Sequence, residues 1–448
     1  MDFAGCGERA DLELLFIRFF GVALVAHVVG NWAQPDIPSL VGILNLVVGL
    51  AGLGLNVWPR RPLVIGAAVV TCASVLAEMP FTGNHWMVAG LAGLAIILTG
   101  GDPGRYSPAL RWIFVVFYGF AAFAKLNSGF FDPSVSCAVF YANQSLDGFG
   151  LGPIPASSSI RNLLIWLTAA IELAVVPLLA IRRTRFAGLV LATAFHLLIS
   201  FDLNQHFYDF TAVLIALLIS FLPERTAAQL TQPLLGVWWR SGRMALIALS
   251  FFLVVIAVLP PTDATFAILE SLPFVAWAPI ALYVFYRLVR SGHPGDQLDW
   301  RLGWVAGGVV LLTMFNGITP YTEIKTAYAF NMYANLVTAQ GRSNHFLIRS
   351  TVPLRDGYVD PVEIIESSDP GLEIYQEMGY LIAYPQFRRY LAAQPTAAVK
   401  YRRGSEEYEF TGTGPPPDPG PSWWRFVPLR ALDTHDPPRC QSVFLPAL

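Results

Sequence analysis

The sequence predicts an all-α polytopic membrane protein of about eleven transmembrane helices, N-terminus inside and C-terminus outside, followed by a small α+β extracytoplasmic C-terminal domain. Three observations predict it. Only 60 of 448 side chains carry charge, 29 basic and 31 acidic, about half the share of a soluble domain. Hydrophobic residues make up 54% of the chain, and the mean hydropathy is +0.51, more apolar surface than one water-facing core can bury. Apolar runs of about 20 residues, the length that crosses a bilayer as helix, recur between Pro, Gly and Arg clusters over the first 320 residues.

These runs fall near 11–31, 37–57, 62–79, 84–100, 109–127, 161–182, 185–201, 206–223, 243–260, 268–289 and 302–319. Acids at Asp2, Glu8 and Asp11, with no basic stretch before the first run, make that run a retained span and not a cleaved signal. Arginine sets the orientation, because short cytoplasmic loops collect Lys and Arg. With the N-terminus inside, 14 of the 17 basic residues before position 320 lie in inside segments, from Arg9 and the Arg60–Arg61 pair to Arg287, Arg290 and Arg301. Outside loops then hold only Arg161, while Arg18 and Lys125 lie within spans. An odd span count places the loop 128–160 and residues 321–448 outside. Asn143-Gln-Ser145 in that loop is a formal glycosylation acceptor.

Charge density marks the domain boundary. Residues 1–320 hold 34 of the 60 charges and the last 128 hold 26, giving a transmembrane domain at 1–320 and an extracytoplasmic domain at 321–448. Alternation predicts strands over His345–Val352 and Ala398–Arg403, and Leu372–Gln386 reads as helix. Gly412–Pro421 reads as a polyproline-like linker. Net charge of −2 excludes a nucleic-acid footprint. Four scattered cysteines exclude a metal or disulfide framework, and no metal is expected. Cys137 and Cys440 both fall on the oxidising side, as a disulfide between outer loop and C-terminal domain or as two unrelated thiols. No Walker loop, GxSxG, HExxH or CxxC is present; the glycines from Gly49 to Gly54 lie in an apolar helix and are read as packing residues.

Ionisable residues within spans are costly and often functional. They are Arg18, His27, Glu78, Lys125, Glu172, His196 and Asp209, with His85 and His206 at span starts. Asn84 and His85 begin the fourth span at its outer end and Lys125 ends the fifth there. His196 and His206 flank the outer turn between the seventh and eighth. Four segments therefore bring polar groups to one depth. The plainer readings are a snorkelling Lys125, an interfacial His85 beside Trp86 and a packing His196. Glu172, near the middle of its span, must be protonated or paired, and Arg18 is the basic residue nearest in depth.

Three stretches carry a family resemblance: Phe81–Trp86 (FTGNHW), Phe117–Asn127 (FYGFAAFAKLN) and Phe195–Phe201 (FHLLISF). In order and spacing they resemble the membrane region of vitamin K-dependent γ-glutamyl carboxylases and the wider bacterial group sharing the horizontally transferred transmembrane (HTTM) domain. The resemblance spans roughly residues 11–290. The tail segments Lys325–Asn335 and Ser343–His345 resemble the extracytoplasmic tail of bacterial members. It implies that Lys125 is the base that deprotonates a reduced quinone, vitamin K hydroquinone or menaquinol, assisted by Asn84 and His85, with His196 matching the family's later histidine. It further implies O2 and CO2 as co-substrates, and quinol epoxidation coupled to proton abstraction or carboxylation of an exported peptide. An amine desolvated in an apolar pocket is the form such a base requires. The departures are a single lysine after Ala124, Asn127 in place of aspartate, Ser200 in place of a polar segment, and a shorter C-terminal portion. The alternative is a non-enzymatic transporter or export and maturation factor. The partners expected are the bilayer, the lipid-soluble quinol and an exported peptide or protein.

Overall fold

The computed structural model describes residues 7–30, 39–202, 207–231, 277–279, 281–290, 298–412 and 417–441. Helices α1 (Gly7–Gly30) and α2 (Leu40–Val57) cross closely. A Cβ on Gly52 would lie 2.6 Å from the Gly21 carbonyl oxygen. Small residues at helix crossings let backbones approach in lipid, the packing role expected of the Gly49–Gly54 stretch. Helix α3 (Arg61–Glu78) carries Pro62 in its first turn, and α4 (Asn84–Leu98) follows Gly83. Helix α5 (Pro103–Ala124) is capped by Asp102, whose carboxylate accepts the Gly104 N–H at 3.0 Å.

The loop expected at 128–160 contains α6 (Cys137–Gly148), whose 12 residues are too few to span a bilayer. Then come α7 (Ser159–Ala180), α8 (Arg185–Ile199) and α9 (Phe207–Ile219). Every residue of α9 is buried, so this mostly apolar helix runs through the core of the bundle and carries Asp209 into it. Helix α10 (Glu224–Thr231), helical residues at 277–279 and 281–290, and α11 (Trp304–Ile318) complete the helical part. The expected span 243–260, residues 268–276 of the expected span 268–289, and His206 lie outside the described residues.

Among the described residues, five helices are long and apolar enough to cross a membrane: Asp11–Gly30, Leu40–Val57, Arg61–Glu78, Pro103–Ala124 and Ser159–Ala180. Helices α2, α3 and α7 leave apolar faces uncovered, with Leu50, Leu76 and Trp166 exposed, as in a helix facing lipid.

The C-terminal part holds a five-stranded antiparallel sheet of order β6-β5-β3-β4-β7, preceded by a short β1–β2 hairpin (Thr338–Ala339 and Arg342–Ser343). Its strands are β3 (Val362–Ser367), β4 (Tyr380–Ile382), β5 (Val399–Arg403), β6 (Glu406–Phe410) and β7 (Leu432–Asp433). Helices α12 (Pro370–Met378) and α13 (Tyr384–Ala393) bury Leu372, Tyr375, Phe387 and Leu391 against Val362, Ile364, Ile382 and Val399. The strand expected at Ala398–Arg403 is β5. The single helix expected at Leu372–Gln386 is two helices, because Gly379, at φ +64°, ends α12 and β4 follows.

His345–Val352 is not a sheet strand. Some of its hydrogen bonds go to the helix ends, Phe346 N–H to the Leu126 carbonyl at 2.8 Å and Val352 N–H to Tyr321 at 3.0 Å, with a bridge between Asn127 and His345; others go to the β1–β2 hairpin, where the Arg349 carbonyl accepts the Ser343 N–H at 2.9 Å and Thr351 N–H donates to Gly341 at 3.1 Å. Cys137 and Cys440 form a disulfide, the first of the two readings left open by their positions.

Candidate functional site

Lys125 follows the last turn of α5 and is buried, 5% exposed. Its ammonium is 2.8 Å from Glu172 Oε2 on α7 and is directed at the carbonyls of Ala121 (3.4 Å) and Met332 (3.5 Å). Glu172 is therefore paired, as its depth demanded, but with Lys125 and not with Arg18. Depth along a span does not say which helix lies beside it, and α7 packs against α5. The desolvated lone amine expected for Lys125 is replaced by an ion pair.

His196, in the last turn of α8, shares a 3.2 Å hydrogen bond with the Tyr118 hydroxyl through Nε2. Its Nδ1 is buried and has no hydrogen-bond partner among the described residues. Lys125 is near enough for its charge to act on the His196 ring, and Glu172 for its charge to act on Tyr118. Phe210 of α9 joins this group to the next, its ring meeting His196 at 5.3 Å and His85 at 5.9 Å, both edge-on.

His85 Nε2 lies 2.8 Å from Asp209 Oδ2. The same carboxylate oxygen is 3.2 Å from His27 Nδ1, and His27 Nε2 is 3.2 Å from Glu78 Oε1. Glu78 accepts the Ser74 hydroxyl at 2.7 Å, and Ser74 in turn accepts the Trp86 indole N–H at 3.1 Å. The His27 ring stacks on Trp86 with centroids 3.5 Å apart. Four helices, α1, α3, α4 and α9, thus place two imidazoles and two carboxylates together. All four residues stood among the ionisable span residues, yet only His85 was assigned to the site. The depth arithmetic applied to Lys125 also puts His27 and Glu78 at the ends of their spans and Asp209 at the start of its own.

Asn84 reaches a different partner. Its Oδ1 accepts the Phe330 N–H at 2.8 Å, so it holds the segment 328–335 across the helix ends. The Phe330 ring packs on Phe117 at 5.1 Å. Tyr328, Phe330, Tyr333 and Asn335 all have positive φ, between +51° and +60°, a costly conformation for non-glycine residues that surrounding contacts must impose. Asn335 supplies several: its side chain accepts the Cys137 N–H at 2.9 Å and donates to the Val135 carbonyl at 2.9 Å. Asn127, fully buried, donates to Ala124 at 2.7 Å and Ala334 and accepts the Phe130 N–H at 2.9 Å.

Beneath this segment, Lys325 donates to Asn316 Oδ1 of α11 at 2.8 Å. Burial lowers its pKa to about 7.

The four residues singled out by sequence, Asn84, His85, Lys125 and His196, thus line one end of the bundle. Comparison of the chain with protein-family models, curated proteins and solved structures finds no match.

Proposed function

We propose that the chain is an eleven-span membrane enzyme of the vitamin K-dependent carboxylase-like, HTTM type, with its site and C-terminal part facing outside. In this reading it oxygenates a reduced quinone and couples that step to proton abstraction from, or carboxylation of, an exported peptide. The observation that carries the reading is His196 Nδ1, a buried polar atom lacking a partner among the described residues, on a ring that packs edge-on to Phe210 within range of the Lys125 charge. Buried polar atoms are nearly always satisfied, so one left over beside aromatic walls fits a ring bearing a hydroxyl. Phe117, Phe210 and Phe330 offer faces and edges to such a ring. The apolar helices fit a lipid-soluble substrate.

The proton relay follows from the ion pair. Lys125 Nζ can pass a proton to Glu172 Oε2 at 2.8 Å while taking one from a quinol hydroxyl, so the pair acts as the base without exposing a lone charge. His196 would orient the ring and His85 would hydrogen-bond the developing oxyanion. Asn84 acts by holding Phe330 over the site.

The test is mass spectrometry of the full chain in nanodiscs with menaquinol or vitamin K hydroquinone, CO2 and air. Quinone epoxide is expected from the unmodified protein, and Lys125→Ala should lower its yield about 100-fold or more, the usual worth of a general base. Well-folded protein giving no epoxide with either quinol, or the same yield from Lys125→Ala, overturns the reading.

A further inference from the structure

We propose that His27, His85 and Asp209 bind a divalent transition-metal cation, with Glu78 as the outer carboxylate that orients His27. The candidate ligand atoms all lie within 4.8 Å of one another. His27 Nδ1 and His85 Nε2 stand 3.2 and 2.8 Å from the same Asp209 oxygen. Ligands around a tetrahedral ion at 2.0–2.1 Å are separated by about 3.4 Å, so the two Asp209 distances need open by only a few tenths of an ångström, while the two imidazole nitrogens, within 4.8 Å of each other, must draw together.

With His27 donating from Nε2 to Glu78, a neutral imidazole turns the Nδ1 lone pair toward the Asp209 carboxylate at 3.2 Å. Two lone pairs cannot face each other at that distance in an apolar layer; a proton or a metal ion must lie between them. Asp209 and Glu78 together carry two negative charges among helices with side-chain exposures of 4% and 12%. One divalent cation with two neutral histidines neutralises them, as would two imidazolium ions with no metal. The outer hydrogen bonds favour the cation. A metal-bound histidine usually donates its other ring N–H to a carboxylate, which is the placement of Glu78, itself held by Ser74. Two imidazole nitrogens and one carboxylate oxygen select zinc or ferrous iron over magnesium or calcium. His85, 19% exposed at its side chain, leaves one flank of the cluster open for a further ligand.

The inference stands apart from the quinol reading because metal content is measured without turnover. The experiment is elemental analysis of the full chain, purified in detergent from cells supplied with zinc and iron, followed by chelation and titration with Co2+ read in the visible ligand-field bands. Stoichiometric metal and saturable Co2+ bands are expected. Asp209→Asn should abolish the bands, and Glu78→Gln should keep them while weakening Co2+ binding about 10- to 100-fold. If Asp209→Asn is not recovered folded, Glu78→Gln carries the test. Wild-type protein lacking both metal and Co2+ bands overturns the proposal in favour of the doubly protonated cluster. Unchanged Co2+ affinity in Glu78→Gln, or bands surviving in folded Asp209→Asn, also overturns it.

Discussion

Glu172 shows what one sequence can say about a buried charge and where that stops. An acid deep in a span must be paired or neutral, which position alone dictates; that its partner is Lys125 depends on α7 lying against α5, which position does not contain. Glu172→Gln leaves the Lys125 ammonium buried without a countercharge. The expected cost is about 3–5 kcal/mol, read as a lower melting temperature in detergent, and the double variant Lys125→Met with Glu172→Leu should recover most of it. A double variant as unstable as Glu172→Gln would count against the pair as the source of the loss. Lys325 was invisible as a functional group in the sequence, where it stood only inside the tail segment. Its folded pKa, about 7, lies below the ordinary 10.5, so between those values the unfolded chain binds a proton that the folded chain has released. Stability therefore rises with pH across that window, by at most roughly 1.4 kcal/mol per unit, and the full penalty is present below it. Lys325→Met should flatten this slope and raise the melting temperature more at about pH 6.5 than at about pH 9.5. Equal gains at both values would show that the amine does not titrate there.

Helices were the most legible elements, because long apolar runs bounded by Pro, Gly and Arg announce themselves. The glycines inside them were read only as packing residues; which contact each makes is a fact of the pairing. A Cβ on Gly52 would meet the Gly21 carbonyl oxygen at 2.6 Å and Leu24 Cβ at 2.9 Å, and a helix backbone cannot yield as a side-chain tip can. Gly52→Val should therefore cost about 3 kcal/mol, at the upper end of overpacking penalties. Gly66→Ala on α3, where a Cβ meets nothing within 4 Å, should be neutral or slightly stabilising, since alanine favours helix. Thermal melts of the two variants side by side check this, and similar losses in both would refute the close crossing. The C-terminal elements were harder. The alternation of His345–Val352 is real, but its backbone groups pair with Leu126, Tyr321 and the β1–β2 hairpin at Gly341 and Ser343, and with no strand of the five-stranded sheet; alternation reports an extended chain and not its partner. Gly379 was the visible clue that Leu372–Gln386 is broken.

At the scale of the whole molecule, two independent features bear on sidedness. Arg61 begins α3 and Arg105 lies in the first turn of α5, whereas the opposite ends of α3 and α5 meet the C-terminal part: Arg425 donates to the Leu76 and Ala77 carbonyls, and Asn127 bridges to His345. Basic residues thus gather at the ends remote from the C-terminal part, the asymmetry that cytoplasmic loops impose. The disulfide between Cys137 and Cys440 lies at the other end, tying the loop after α5 to the C-terminal segment, and disulfides persist in oxidising compartments. From both features we predict that residues 321–448 lie outside. Introduced cysteines test this in a Cys6→Ser, Cys72→Ala background that keeps the disulfide. Glu407→Cys, on the exposed strand β6, should react with a membrane-impermeant maleimide in intact cells. Arg183→Cys, in the exposed turn between α7 and α8, should react only after permeabilisation. The reverse pattern would invert the topology, move Lys125, His85 and the metal-ligand cluster to the cytoplasmic end, and remove any route to an exported peptide.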